Sequence, residues 1–209
     1  MKHIVLDFDD GSFLNYRYDL LAELKEHFPK LKVSLFFIPF DARYESNAVY
    51  RMFRKESIEN LKKNLDWIQI IPHGLTHMER EFKKADKQSM RLTLKAIDEI
   101  FRKEGIPYEK GFKAPYWQWN QDVVDVLDKK GWWGAIDTRN TAMIRTKKFY
   151  KNFYSCNEQF WLSDRDVIKI HGHMDGKSDN DVEKCFMAFM KIPTDAEFNF
   201  VTDYLEDRE

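Results

Sequence analysis

Apolar positions recur along the chain in two rhythms. Short unbroken runs read as buried strands: HIVLDF (3–8), KVSLFFIP (32–39), WIQII (67–71), WGAID (133–137) and DVIKIHGH (166–173). Between them lie longer stretches with apolar residues at helical spacing. These are YRYDLLAELKEHF (16–28), with Pro29 just past its end, residues 46–64, and residues 86–104, which stop at Gly105. NQDVVDVLDKKG (120–131) adds a helix with Asn120 as cap, and SDNDVEKCFMAFMK (178–191) another with Ser or Asp near its cap. GFKAPYW (111–117) reads as a strand end or loop, and FNFVTDYL (198–205) closes the chain. Strands alternating with helices imply parallel βαβ units and an α/β fold. Roughly seven or eight such units suggest a barrel more than an open sheet, yet the chain is short for a complete eightfold barrel. The expected architecture is a distorted, incomplete (β/α) barrel in one domain over residues 1–209.

Composition narrows the class without naming a chemistry. Hydrophobic residues make up 43% and charged residues 33%, as in soluble globular proteins. The net charge of −1 gives no global pull towards nucleic acid or anionic membrane. No apolar run approaches the ~18 residues of a membrane span. MKHIVLD offers too short an apolar core for an export signal, so a cytoplasmic location is expected. Cys156 and Cys185 are expected to be plain reduced thiols. Charge runs such as Arg54-Lys55-Glu56 and Lys83-Lys84 read as solvated faces. No protein partner is evident, and KNFYSCNEQFW (151–161) carries no legible motif.

In α/β folds chemistry sits where strands run out at their C-terminal ends. The polar residues there are Asp9 and Asp10, His73 and His77, Lys113 and Tyr116, Asp137, and His171 and His173, which include four of the six histidines. DFDDG (7–11) is open to several readings. Its acids can cap the next helix, hold a metal, or attack a phosphate. The segment resembles the Asp-x-Asp of haloacid-dehalogenase-type phosphatases, in which Asp7 would be the nucleophile and Asp9 the acid/base. Gly11 stands where that motif has threonine, and Asp179 and Asp181 look like a helix start rather than magnesium ligands. HGLTH (73–77) holds two histidines four apart, able to grip one metal. With a strand-end carboxylate, two imidazoles make an open site with positions for water and substrate.

Taken together, these motifs resemble the polysaccharide deacetylases (NodB homology, carbohydrate esterase family 4) over nearly the whole chain. DFDDG resembles the family's first motif, with Asp7 where threonine is usual. HGLTH resembles the second, with Gly74 in the serine/threonine place, and FKAPYW (112–117) the third, with Lys113 where arginine is usual. WGAIDTRN (133–140) resembles the fourth, with Asp137 as the matching acid and Asn140 where a second Asp is common. VIKIHGH (167–173) resembles the fifth, and EFNFVTDYLED the closing strand. The resemblance implies a NodB-type barrel, Asp9 as catalytic base, and Asp10, His73 and His77 as ligands of one divalent metal. It also implies the Tyr116 backbone N–H as an oxyanion donor and His171 as catalytic acid. Zinc is the favoured metal for this donor set, with cobalt, nickel, manganese or iron able to substitute.

The chemistry is self-consistent. A divalent metal acidifies bound water and polarises the carbonyl. Asp9 can take the water's proton, and His171 can protonate the leaving nitrogen if an acid such as Asp137 keeps it charged. Lys113 keeps the positive charge near Asp9 but lacks the planar grip of arginine. His173, on the same strand face as His171, is a rival for the acid role. Trp117 and Trp133 are candidate sugar platforms with Tyr116, although aromatics beside motifs often serve as core. The expected function is removal of an acetyl group from an N-acetylated sugar or related small amide. Two other classes stay open: a magnesium phosphatase, and a non-catalytic metal- or sugar-binding domain. A phosphatase would be lost on changing Asp7, whereas the deacetylase is expected to tolerate that change far better.

Overall fold

A computed structural model describes residues 2–14, 17–40, 48–136 and 145–208, the side chains of 48–52 excepted. Ten strands are described: β1 (His3–Ser12), β2 (Val33–Ile38), β3 (Ile68–Pro72), β4 (Gly111–Phe112), β5 (Trp133–Ile136), β6 (Lys148–Lys151), β7 (Tyr154–Ser155), β8 (Val167–His173), β9 (Glu197–Asn199) and β10 (Glu206–Asp207). The helices are α1 (Tyr18–His27), α2 (Ala48–Lys62), α3 (Lys87–Glu104), α4 (Gln121–Lys129) and the single turn α5 (Phe186–Phe189). One sheet has the order β3-β2-β1-β8-β7, with β9 beside the start of β1; the other has the order β10-β6-β5-β4. Among the described residues every strand pairing is parallel except β10 with β6.

The sheets meet where the Glu109 N–H donates to the Ile70 carbonyl (2.8 Å) and the Lys113 N–H to that of Pro72 (3.1 Å). On the other side the chain itself passes from β6 to β7. The result is the distorted, incomplete barrel that the alternation of elements predicts.

Side-chain alternation along the strands divides the core in two. Ile4, Leu6 and Phe8 of β1 join the larger cluster, which packs under the helices with Leu21, Leu24, Met90, Leu94 and Phe101. Val5 turns the other way, into a smaller cluster with Phe36, Ile71, Trp133, Ala135, Tyr150 and Val201. That second cluster fills the barrel.

Local signals hold α3 and α4 as the sequence predicts. The Asp86 carboxylate accepts from the Ser89 N–H (2.7 Å) and Gly105 takes the left-handed conformation (φ 66°) that ends α3. Asn120 caps α4 through the Val123 N–H (3.1 Å).

Three expectations change. The helix expected over 178–191 shrinks to α5, because the Asp175 and Asp181 carboxylates capture nearby backbone N–H groups (Lys177, Ser178, Gly176 and Glu183) into turns. The closing segment divides into β9, a 3-10 turn (Val201–Tyr204) and β10. The segment without a motif begins on the last residue of β6 and supplies β7.

Candidate metal and catalytic centre

The parallel register of β1 on β8 sets Val5 beside Lys169, Asp7 beside His171 and Asp9 beside His173. All are odd positions, so their side chains share the barrel face. A regular strand would send Asp10 to the opposite face. Instead the β1–β2 pairing slips between Phe8 and Gly11, and Asp10 takes a left-handed backbone (φ 65°). This bulge re-aims Asp10, so that both neighbouring carboxylates reach the centre.

His73 follows β3 on the same face, and the HGLTH loop curls back over it. Gly74 (φ 68°) lies against Pro115, whose Cγ would be 2.7 Å from an added Cβ. The serine or threonine of the family motif would therefore clash here. The Glu81 carboxylate accepts from the Leu75 (2.9 Å) and Thr76 (3.3 Å) N–H groups and pins the loop. His77 has φ 58°, so the histidine pair sits on a loop and not on a helix.

The Nδ1 of His73 bonds the Lys113 carbonyl (3.0 Å), which turns Nε2 towards the acids. Asp10 Oδ1 lies 2.9 Å from His77 Nε2 and 3.9 Å from His73 Nε2. Burial would raise the Asp10 pKa, but the His77 hydrogen bond holds it below its usual value. Burial pushes His73 down to about 4. An ionised carboxylate and a neutral imidazole with a fixed tautomer suit a divalent metal, and Asp10, His73 and His77 present donors within 4.8 Å of one another.

The His73 shift has a testable consequence. On unfolding it returns towards its ordinary 6.5. The unfolded chain then binds more protons between those two values, so stability conferred by this group is full above about 6.5 and declines as pH falls towards about 4. In urea titrations of metal-free protein, a loss of about 3 kcal/mol is expected across that window. A flat profile would contradict a neutral, buried His73.

Lys113 is the electrostatic hub. It is 1% exposed, with Nζ 2.6 Å from Asp9 Oδ1 and 3.6 Å from Asp7 Oδ1, and it lies over the rings of Phe36 (4.5 Å) and Trp117 (4.3 Å). Burial alone would raise Asp9; the Lys113 ammonium, helped by His73, His171 and His173, holds it far below the usual carboxylate range.

Asp7 plays a part that the sequence reading did not give it. It is 0% exposed, accepts from the Tyr150 hydroxyl at Oδ2 (3.1 Å) and holds His171 Nδ1 at Oδ1 (2.8 Å). An enclosed carboxylate with both oxygens engaged is badly placed to attack a phosphate, which tells against Asp7 as a nucleophile. The signal was present in the sequence: Asp7-x-Asp9 and His171-x-His173 share a period of two, but only the register joins them. His171 Nε2 faces Asp9 Oδ2 at 3.7 Å. His173, with its side chain 24% exposed, bonds Asn180 Oδ1 through Nδ1 (2.8 Å).

The remaining candidates separate. Tyr116 is 54% exposed and its ring lies 5.0 Å from that of His77. Trp117 is partly exposed, with its ring 6.2 Å from that of His171. Both take left-handed backbones, Tyr116 at φ 55° and Trp117 at φ 58°, a conformation that stores strain at about 1–3 kcal/mol per residue. Trp133 must be corrected: at 5% exposure it packs edge-on to Phe36 inside the barrel and covers Gly111, leaving no open face for a sugar. Asp137 and Asn140 lie outside the described residues.

No family model and no curated protein matches the sequence. Solved structures match the fold. A chitin deacetylase from Colletotrichum lindemuthianum aligns with TM-score 0.63 and 16% identity, over 99% of this chain and 88% of its own. A family 4 acetyl xylan esterase from Clostridium thermocellum, in complex with a cobalt ion, aligns with TM-score 0.57 and 12% identity, over 97% and 89%. A mutant of a CE4 family pseudoenzyme aligns with TM-score 0.57 and 14% identity, over 97% and 66%. The chain therefore has the NodB-type fold of the carbohydrate esterase 4 proteins.

Proposed function

We propose that this protein is a metal-dependent deacetylase acting on an N-acetylated sugar or a related small amide. The observation that carries the reading is the meeting of Asp10, His73 and His77 with Asp9 and His171 at one end of the barrel. The fold shared with a chitin deacetylase and an acetyl xylan esterase supports an acetylated carbohydrate as substrate.

Asp10, His73 and His77 would hold the metal, which supplies an acidified water and a polarised carbonyl. Zinc suits the two imidazoles and one carboxylate, and cobalt, the ion in the complex of one structural neighbour, takes the same donor types. Asp9, kept ionised by Lys113, takes the proton of the attacking water. His171 delivers a proton from Nε2 to the leaving nitrogen, while Asp7 fixes its ring through Nδ1. The Tyr116 backbone N–H serves as a second oxyanion donor. The Tyr116 side chain and Trp117 offer the sugar its aromatic surface.

The reading is tested by elemental mass spectrometry on protein purified without chelator, followed by assay of acetate release from N-acetylated sugars. About one tightly held equivalent of zinc or a similar metal is expected, lost in His77→Ala. Protein that takes up only magnesium, or nothing after reconstitution, would refute it. A non-catalytic binding domain is the second reading, because a pseudoenzyme shares this fold. It would keep the metal and bind sugar, yet show no turnover sensitive to Asp9→Ala.

A further inference from the structure

Beside the Asp10 group, the described residues hold a second set of three donors. Asp9, His171 and His173 present ligand atoms that all lie within 4.8 Å of one another. Asp9 Oδ2 is 3.7 Å from His171 Nε2 and 3.9 Å from His173 Nε2. Bonds of zinc to nitrogen and oxygen imply tetrahedral edges of about 3.4 Å, so the two edges from Asp9 need to close by up to about half an ångström. The first group is tighter at one edge, 2.9 Å from Asp10 to His77, and equal at the other, 3.9 Å from Asp10 to His73.

Both imidazoles of the second set are already oriented as ligands. A carboxylate can only accept, so the Asp7 contact makes His171 Nδ1 a donor, and the neutral ring then carries its lone pair on Nε2. Asn180 Oδ1 does the same for His173. Histidines bound to metals characteristically donate their other N–H to a carboxylate or carbonyl oxygen in this way. The register places both rings on one face, and the partial exposure of His173 opens the set to solvent.

Charge sets the order of filling. Asp7, Asp9 and Asp10 are offset by Lys113, and a divalent ion at the first site would neutralise the rest. A second ion then meets a centre with no net charge, and Lys113 Nζ already occupies the other Asp9 oxygen. It must therefore bind more weakly.

We propose that Asp9, His171 and His173 form a second, weaker divalent-cation site, which when filled switches the centre off by engaging its proton-handling pair. The existence of the site stands on its own geometry. Its inhibitory effect rests on the roles given to Asp9 and His171 under the proposed function.

The test is equilibrium dialysis of chelator-stripped full-length protein against rising cobalt(II), with bound metal counted by elemental mass spectrometry. Wild-type protein is expected to take up about two equivalents, the second at free metal at least ~10-fold higher than the first. His173→Ala should lose the weaker step and keep the tighter one, and His77→Ala should lose the tighter one. Asn180→Ala removes only the partner of His173 and should weaken the second step by about 10–100-fold. Circular dichroism and melting confirm that each variant is folded. In wild-type protein, acetate release should fall along the second binding step.

Saturation at one equivalent, lost in His77→Ala, overturns the second site and leaves the deacetylase reading intact. One equivalent lost in His173→Ala but kept in His77→Ala overturns the first site instead. Two equivalents bound with undiminished turnover overturn the switch.

Discussion

Asp7→Asn is expected to lower kcat for acetate release by about a thousandfold or more while KM and metal content stay near wild type. Asp7 touches neither the metal group nor the open face of the centre. It accepts from His171 Nδ1 and the Tyr150 hydroxyl in a fully buried position. Asparagine keeps the shape but loses the charge that faces the ring when His171 carries its second proton. The proton donor is then misoriented or missing at the leaving nitrogen, and only the chemical step suffers. Tyr150→Phe removes one hydrogen bond to the same carboxylate and should cost far less. The comparison to make is a kcat and KM series for wild type, Asp7→Asn and Tyr150→Phe, with metal content measured on each. A kcat within about threefold of wild type for Asp7→Asn would mean that His171 does not work through Asp7. The sequence reading expected a deacetylase to tolerate changes here, so Asp7 substitution alone no longer separates it from a phosphatase; the substrate turned over by wild-type protein does.

Lys113→Met should be severe in a different way. Methionine preserves the packing between Phe36 and Trp117 but removes the ammonium 2.6 Å from Asp9 and 3.6 Å from Asp7. Two carboxylates would be left buried without their cation, and breaking a buried pair typically costs about 3–5 kcal/mol. Denaturant titration at neutral pH measures that loss. The same change frees Asp9 from the charge that holds its pKa down against burial. In wild-type protein Asp9 stays ionised to low pH. In the variant it regains a proton as pH falls, so the acid limb of kcat/KM moves to higher pH. Lys113→Arg retains the charge and should keep the acid limb low, with a loss that reflects only the fit of a larger group. Unchanged stability together with an unmoved acid limb in Lys113→Met would remove Lys113 from the electrostatic account.

The strained turn beside the centre shows how a sequence departure is absorbed. Gly74 stands where the motif that HGLTH resembles has serine or threonine, and Pro115 fills the space that a side chain would need. The following residues, Tyr116 and Trp117, hold left-handed backbones over the site. Gly74→Ser is therefore expected to displace this turn and weaken substrate binding more than metal binding, a difference that parallel KM and metal measurements would show.

Much of this was legible in the chain because it depends on local order. The unbroken runs of β1, β2, β3 and β8 announce strands buried on both faces. Asp86, Gly105 and Asn120 mark helix ends through bonds that span only a few residues. The identity of the candidate ligands follows from residue type at strand ends. The sequence by itself thus determined the alternation of elements and which side chains could carry chemistry. It could not decide which of those side chains meet. That Asp10 turns inward depends on a slipped pairing with β2, and that Asp7 serves His171 depends on the register of strands more than 150 residues apart. Trp133 looked like a platform by its place beside a motif and is barrel filling because Gly111 and Phe36 close over it. Such contacts are set by long-range packing, where a one-residue shift exchanges the two faces of a strand. That shift is invisible to local pattern, and only the tertiary structure fixes it.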